Sequence, residues 1–114
     1  VKKIKLTALV ISILTLLPLS VHASSGKSSL QCKKEALVEA KKLLSFYRDN
    51  DERIVIDDDV TPLTKIKNPE NKKQIFDVLE VWGNIYKGKY RMRFLYYPDD
   101  CLLMGEEILE YANL

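Results

Sequence analysis

The sequence predicts an α+β protein: one N-terminal helix packed on an antiparallel sheet of three or four strands, a meander built around a hairpin from Phe76 to Tyr97. Three observations carry that expectation. Phe76 to Tyr97 holds two runs rich in β-branched and aromatic residues on either side of Lys87-Gly88. Leu37, Ala40, Leu44 and Tyr47 recur at helical spacing, with Ala36 and Leu43 beside them. Cys32 and Cys101, the two cysteines, offer a single bridge between the helix start and the last strand.

The hairpin follows from its turn. Glycine supplies positive φ cheaply in a two-residue loop, so Lys87-Gly88 is the expected loop. Ile85 then faces Tyr90, Gly83 faces Met92, Val81 faces Phe94 and Leu79 faces Tyr96. The alternate positions pair Asn84 with Arg91, Trp82 with Arg93, Glu80 with Leu95 and Val78 with Tyr97. The first set is almost wholly apolar and the second is mixed. Side chains alternate faces with period 2, so a slip of one residue would mix the sets.

The start of the chain reads as a secretory signal peptide over residues 1–23. Lys2, Lys3 and Lys5 precede an apolar run from Leu6 to Leu19, and Val21-His22-Ala23 suits the cleavage site. The competing reading, an uncleaved anchor, needs a longer apolar run than this one. Cleavage removes three basic residues and leaves 15 basic against 16 acidic, a net of −1 where the whole chain carries +2. General basicity therefore gives no case for a nucleic-acid binder. The only histidine, His22, leaves with the signal, and with it the commonest general base and metal ligand. The expected location is periplasmic or secreted, with no membrane association after cleavage. There, one Cys32–Cys101 disulfide is expected, and closing so long a loop contributes roughly 4 kcal/mol.

The rest divides into a flexible leader over 24–29 and a single small α+β domain over 30–114. Ser28 and Gln31 fit a capping box, so the helix should start near Leu30. It should end near Arg48, where Asp49-Asn50-Asp51 breaks it. Arg53 to Ile56 is a short strand candidate. Asp57-Asp58-Asp59 adds to a dense acidic stretch that is either a calcium loop or a solvated edge. Counted from Asp57, Pro62 and Asn68 fall where an EF-hand needs Gly and Glu, which favours the solvated edge. Thr61 to Lys73 reads as a long connection with one short extended piece at Leu63 to Ile66. Cys101 to Tyr111 is either a strand or, from Glu106, a helix. The strand is favoured, with Gly105 marking a bulge that lets Leu102 and Met104 share a face with Leu109 and Tyr111.

Chemistry is sparse. Outside the predicted signal there is no phosphate loop, no C-x-x-C and no Ser-His-Asp set, and no cofactor or metal is expected. Glu106 and Glu107 are adjacent, so in a strand they point to opposite faces. The mixed face of the hairpin is more informative. Trp82, Tyr86, Arg91, Arg93 and Tyr97 are its candidate binding residues, a composition enriched at interface hot spots. Such a face is either an interface or a second core. The expected role is a small exported partner-binding protein, an inhibitor or immunity-type module. Its partner would be a protein in the cell envelope or outside the cell, with a homodimer possible and no nucleic acid. The alternative is a small secreted enzyme acting on an envelope polymer through carboxylates.

The leader generates the first prediction. Expressed with its own leader, the protein should be recovered outside the cytoplasm, and N-terminal sequencing should begin at Ser24. An exported protein that retains residues 1–23 would refute the cleavage.

Overall fold

A computed structural model describes residues 26–111, and the predicted signal peptide lies outside the described residues. The helix, α1, spans Lys33–Tyr47. Ala36, Ala40 and Leu44 form its buried stripe, one residue per turn, with Leu37 and Leu43 partly buried beside them. Asp49 and Asn50 end it with φ of 53° and 57°, a conformation that short polar side chains tolerate best. The expected capping box is not formed. Cys32 is the N-cap and makes no side-chain cap. The Ser28 hydroxyl instead accepts the Val78 N–H at 2.6 Å, fifty residues away. No helix among the described residues is long and apolar enough to cross a membrane.

Among the described residues five antiparallel strands make one sheet: β1 (Ile54–Ile56), β2 (Thr61–Asn68), β3 (Asn71–Ile85), β4 (Gly88–Tyr97) and β5 (Leu102–Tyr111). Three or four strands were expected, and the fifth comes from the stretch read as a connection. Pro62 and Pro69 argue against a strand there, yet both find tolerated places. Pro62 lies near the start of the edge strand β2, and Pro69 lies in the β2–β3 turn. Asn68 Oδ1 accepts the Glu70 N–H at 2.9 Å and sets that turn. β3 therefore starts five residues before Phe76. At 15 residues it is long enough to pair β2 along its first ten residues and β1 along its last three, on one edge. β4 takes the other edge, and β5 follows β4.

The β3–β4 register differs from the expected one by two residues. Ile85 pairs with Gly88, Gly83 with Tyr90, Val81 with Met92 and Leu79 with Phe94. The loop is Tyr86-Lys87, and Tyr86 carries the positive φ, at 54°. Gly88 has no positive φ; it is there for space. A Cβ on it would lie 3.1 Å from Tyr90 Oη and 3.3 Å from the Ile85 carbonyl. In this register each hairpin glycine stands opposite a large apolar residue, which offsets the cost of Tyr86. A shift of two keeps every paired side chain on its face, so the apolar and mixed sets stand as read except for Tyr86, which the loop takes.

The helix covers the apolar face. Leu79, Val81, Ile85, Tyr90, Met92, Phe94 and Tyr96 are buried against the α1 stripe. α1 comes close at Gly83, where a Cβ would stand 2.8 Å from Leu44 Cδ2. The other end of β3 is held differently. Residues 26–29, expected to be flexible, are pinned beside β2 by the Ser28 N–H to the Leu63 carbonyl and the Lys65 N–H to the Gly26 carbonyl. Buried Asp77 then accepts the Ser29 hydroxyl at 2.7 Å, with Lys65 Nζ at 3.7 Å.

Cys32 and Cys101 form the expected disulfide, with the Cys32 side chain fully buried. It ties the start of α1 to the β4–β5 turn and fits an oxidising compartment. Cys101→Ser should therefore lower unfolding free energy by about 2–5 kcal/mol in urea titrations. An unchanged midpoint and slope would show that the sheet and helix hold without the staple.

Candidate functional site

The opposite face of the sheet carries the mixed set, and pairing arranges it in rows. Leu63, Val78, Leu95 and Gly105 form one row across β2–β5. Thr61, Glu80, Arg93 and Glu107 form the next. Trp82, Arg91 and Leu109 follow, and then Val55, Asn84, Lys89 and Tyr111. The β5 bulge places Leu109 and Tyr111 here. Leu95 pairs with Gly105 and Tyr96 with Leu103, so Met104 is the extra residue. Leu102, Leu109 and Tyr111 share the face as expected, and the strand is the form taken by 102–111.

Glu80 is the electrostatic centre. It is buried, and a buried carboxylate needs partners. Arg93 Nε donates to Glu80 Oε2 at 2.8 Å, and Trp82 Nε1 donates to Glu80 Oε1 at 3.2 Å. Arg91 Nε lies 3.8 Å from Glu80 Oε2, too far for a hydrogen bond. The Arg91 guanidinium also reaches Glu107 at 3.8 Å and donates to Tyr111 Oη at 3.1 Å. Both arginines are thus neutralised within the face. Arg91 sits 5.8 Å from the Tyr111 ring centroid, and Trp82 meets that ring edge-on at 5.2 Å.

Four of the five candidate residues share this face, and Trp82, Arg91 and Arg93 come together on it. Trp82, Arg91, Arg93 and Tyr97 lie half-buried on this face, with Tyr97 edge-on to Phe76. Tyr86 does not join them. It sits at the hairpin tip, 74% exposed, between the Arg53 guanidinium at 5.9 Å and Lys87 Nζ at 5.6 Å. Arg53 also hydrogen-bonds Asp51 and holds its carboxyl down at about 2.

Sequence reasoning missed Val55, which is 61% exposed beside Asn84, and Ile66, 42% exposed next to Phe76. A three-residue strand and a proline-flanked one carry too little periodicity to assign a face. Leu102 and Leu109 are 55% and 46% exposed. Below Arg93 a groove of about 400 Å³ has Leu63, Ile66, Val78 and Leu95 as its apolar floor and Glu107 at its rim. Glu106 pairs with Phe94 on the helix side and Glu107 with Arg93 on the open side, so these two carboxyls do not converge. Comparison with known protein families, with curated proteins and with solved structures finds no match to this chain.

A double-mutant cycle tests the network. Arg93→Met should cost about 1–3 kcal/mol because Glu80 is left buried with Trp82 as its remaining donor. Glu80→Met with Arg93→Met should recover much of that loss, giving a coupling of about 0.5–3 kcal/mol in urea unfolding. Additive single-site losses would mean that the ion pair is already screened by water.

Proposed function

We propose that this protein is a small exported partner-binding module, of the inhibitor or immunity type, which holds a protein partner against the open face of its sheet. One observation carries the reading: the face opposite α1 presents Val55, Ile66, Leu102 and Leu109 around half-buried Trp82, and no described element lies over it. A solvated antiparallel face is ordinarily polar, whereas apolar surface rimmed by polar groups suits an interface. The charges point to the same kind of partner. Arg91 and Arg93 are already matched by Glu80 and Glu107, so the two arginines of the face are not free for a phosphate backbone. A polypeptide with aliphatic and aromatic anchors needs no countercharge. The internal bonds also fix the arginine and tryptophan rotamers, which lowers the entropy cost of association.

Export belongs to the same proposal and rests on the leader and the disulfide. The experiment is affinity capture from the native envelope fraction, with Leu109→Asp and Leu102→Asp alongside wild type. Both sites are half-exposed, so stability should change by no more than about 0.5 kcal/mol. Binding of the captured protein should weaken by about 1–4 kcal/mol, mostly through faster dissociation. Equal capture by wild type and both variants would move the interface elsewhere. A concentration-dependent dimer abolished by either variant would make the occupant a second copy of this chain.

A further inference from the structure

A second recess lies on the helix side, between α1 and the β4–β5 end of the sheet. It is an open recess of about 340 Å³, within the range of small-ligand sites. One wall is the first half of α1, where Glu35, Val38 and Glu39 are spaced to share a face. The other is Tyr96 on β4 and Leu103 on β5, closed at one end by Cys101 of the disulfide.

Tyr96 is the informative residue. It is only 2% exposed, yet its hydroxyl has no hydrogen-bond partner among the described residues. Nor is that oxygen among the fully enclosed unpartnered atoms, so it opens on the cleft its residue lines. Buried tyrosines usually find a partner for the hydroxyl. Burial, and then Glu39, Glu35 and Glu106, hold its proton on well above the usual tyrosine range. Glu106 is itself pushed up by burial and by the neighbouring Glu39. Three carboxyls from two elements thus bear on one hydroxyl. The opposing charges are Lys34 at the rim and Lys42, 3.9 Å from Glu39 and 70% exposed. Water screens Lys42 more than it screens Glu39, whose side chain is 25% exposed.

We propose that this cleft binds an alkylammonium group. An ammonium has three N–H donors and no acceptor. Glu35, Glu39 and the Tyr96 hydroxyl oxygen supply three acceptors, and Val38, Leu103 and the disulfide supply apolar surface for the stem. A hard divalent cation fits less well, because it takes six or more oxygens and these walls are partly aliphatic. No group of three or more described residues is arranged to hold a metal. The ammonium source is either a free amine or a lysine side chain, and the chemistry recognised is the same.

The test is a ¹⁵N NMR titration of the exported protein with n-butylammonium, with doubly capped lysine and with n-butanol. Both ammonium probes should give saturable shifts confined to the first half of α1, the neighbourhood of Tyr96 and the start of β5. Glu39→Gln should weaken binding about tenfold and Tyr96→Phe about fivefold, since each removes one acceptor and little volume. Lys72→Ala, exposed at the far end of β3, should leave the affinity unchanged. Equal affinity for the two ammonium probes supports a site for the group itself. A preference of about tenfold or more for capped lysine supports the site and makes a polypeptide its source. Absence of saturable shifts, n-butanol binding as well as n-butylammonium, or Glu39→Gln binding like wild type would each overturn the proposal.

Discussion

The contact between Leu44 and Gly83 sets how the molecule is built. The leucine occupies space that any side chain at residue 83 would need, with Ile56 and Met92 closing around the same point. The helix sits so low because its stripe is otherwise alanine at residues 36 and 40, and because the strand beneath it lacks a side chain. Close approach brings Phe94, Met92 and Val81 to full burial under a helix of only 15 residues. One helix has a limited footprint. It covers the C-terminal half of the central strand on one face, leaving the N-terminal half and the whole opposite face to be managed by other means.

Those other means are polar. Asp77 and Glu80 are the two buried carboxylates of the central strand, and they point to opposite faces. Each is met by long-range partners: Ser29 and Lys65 for Asp77, Arg93 and Trp82 for Glu80. Buried polar groups satisfied in this way specify one arrangement, because any other register leaves a carboxylate without donors. At Asp77 the result is structural, a clip that draws the start of the chain onto the sheet. At Glu80 it orders the open face, holding Trp82 and Arg93 in fixed positions beside exposed aliphatic surface. The disulfide does a third job, fastening the start of the helix to the turn before the edge strand.

Much of the hairpin was legible because its side-chain alternation is strong. The expected turn moved by one residue and the register by two, and the assignment of faces survived because two is the period of a strand. The displacement came from a glycine used for room instead of for backbone conformation, which no local motif distinguishes. Ser28 gives the same lesson. It matches a capping box locally, but its hydroxyl is taken by the Val78 N–H across the fold. The second strand was hidden by Pro62 and its lysines, which are acceptable only because that strand lies at an edge. Tyr86 was grouped with Trp82 by alternation and left that face because the turn claimed it.

The amino-acid sequence by itself determined the fold class, the helix stripe, the two sets of hairpin side chains and the pair of cysteines that bond. These are properties of spacing and of residue type, and they hold whatever the remainder of the chain does. Only the tertiary structure decided the number of strands, the turn register, the burial of Glu80 with its arginine partner and the exposure of the face around Trp82. Each depends on what lies beside or above a residue, and the neighbours that settle it come from distant parts of the chain. A strand's periodicity says which side chains share a face; it does not say which of the two faces a single helix will cover.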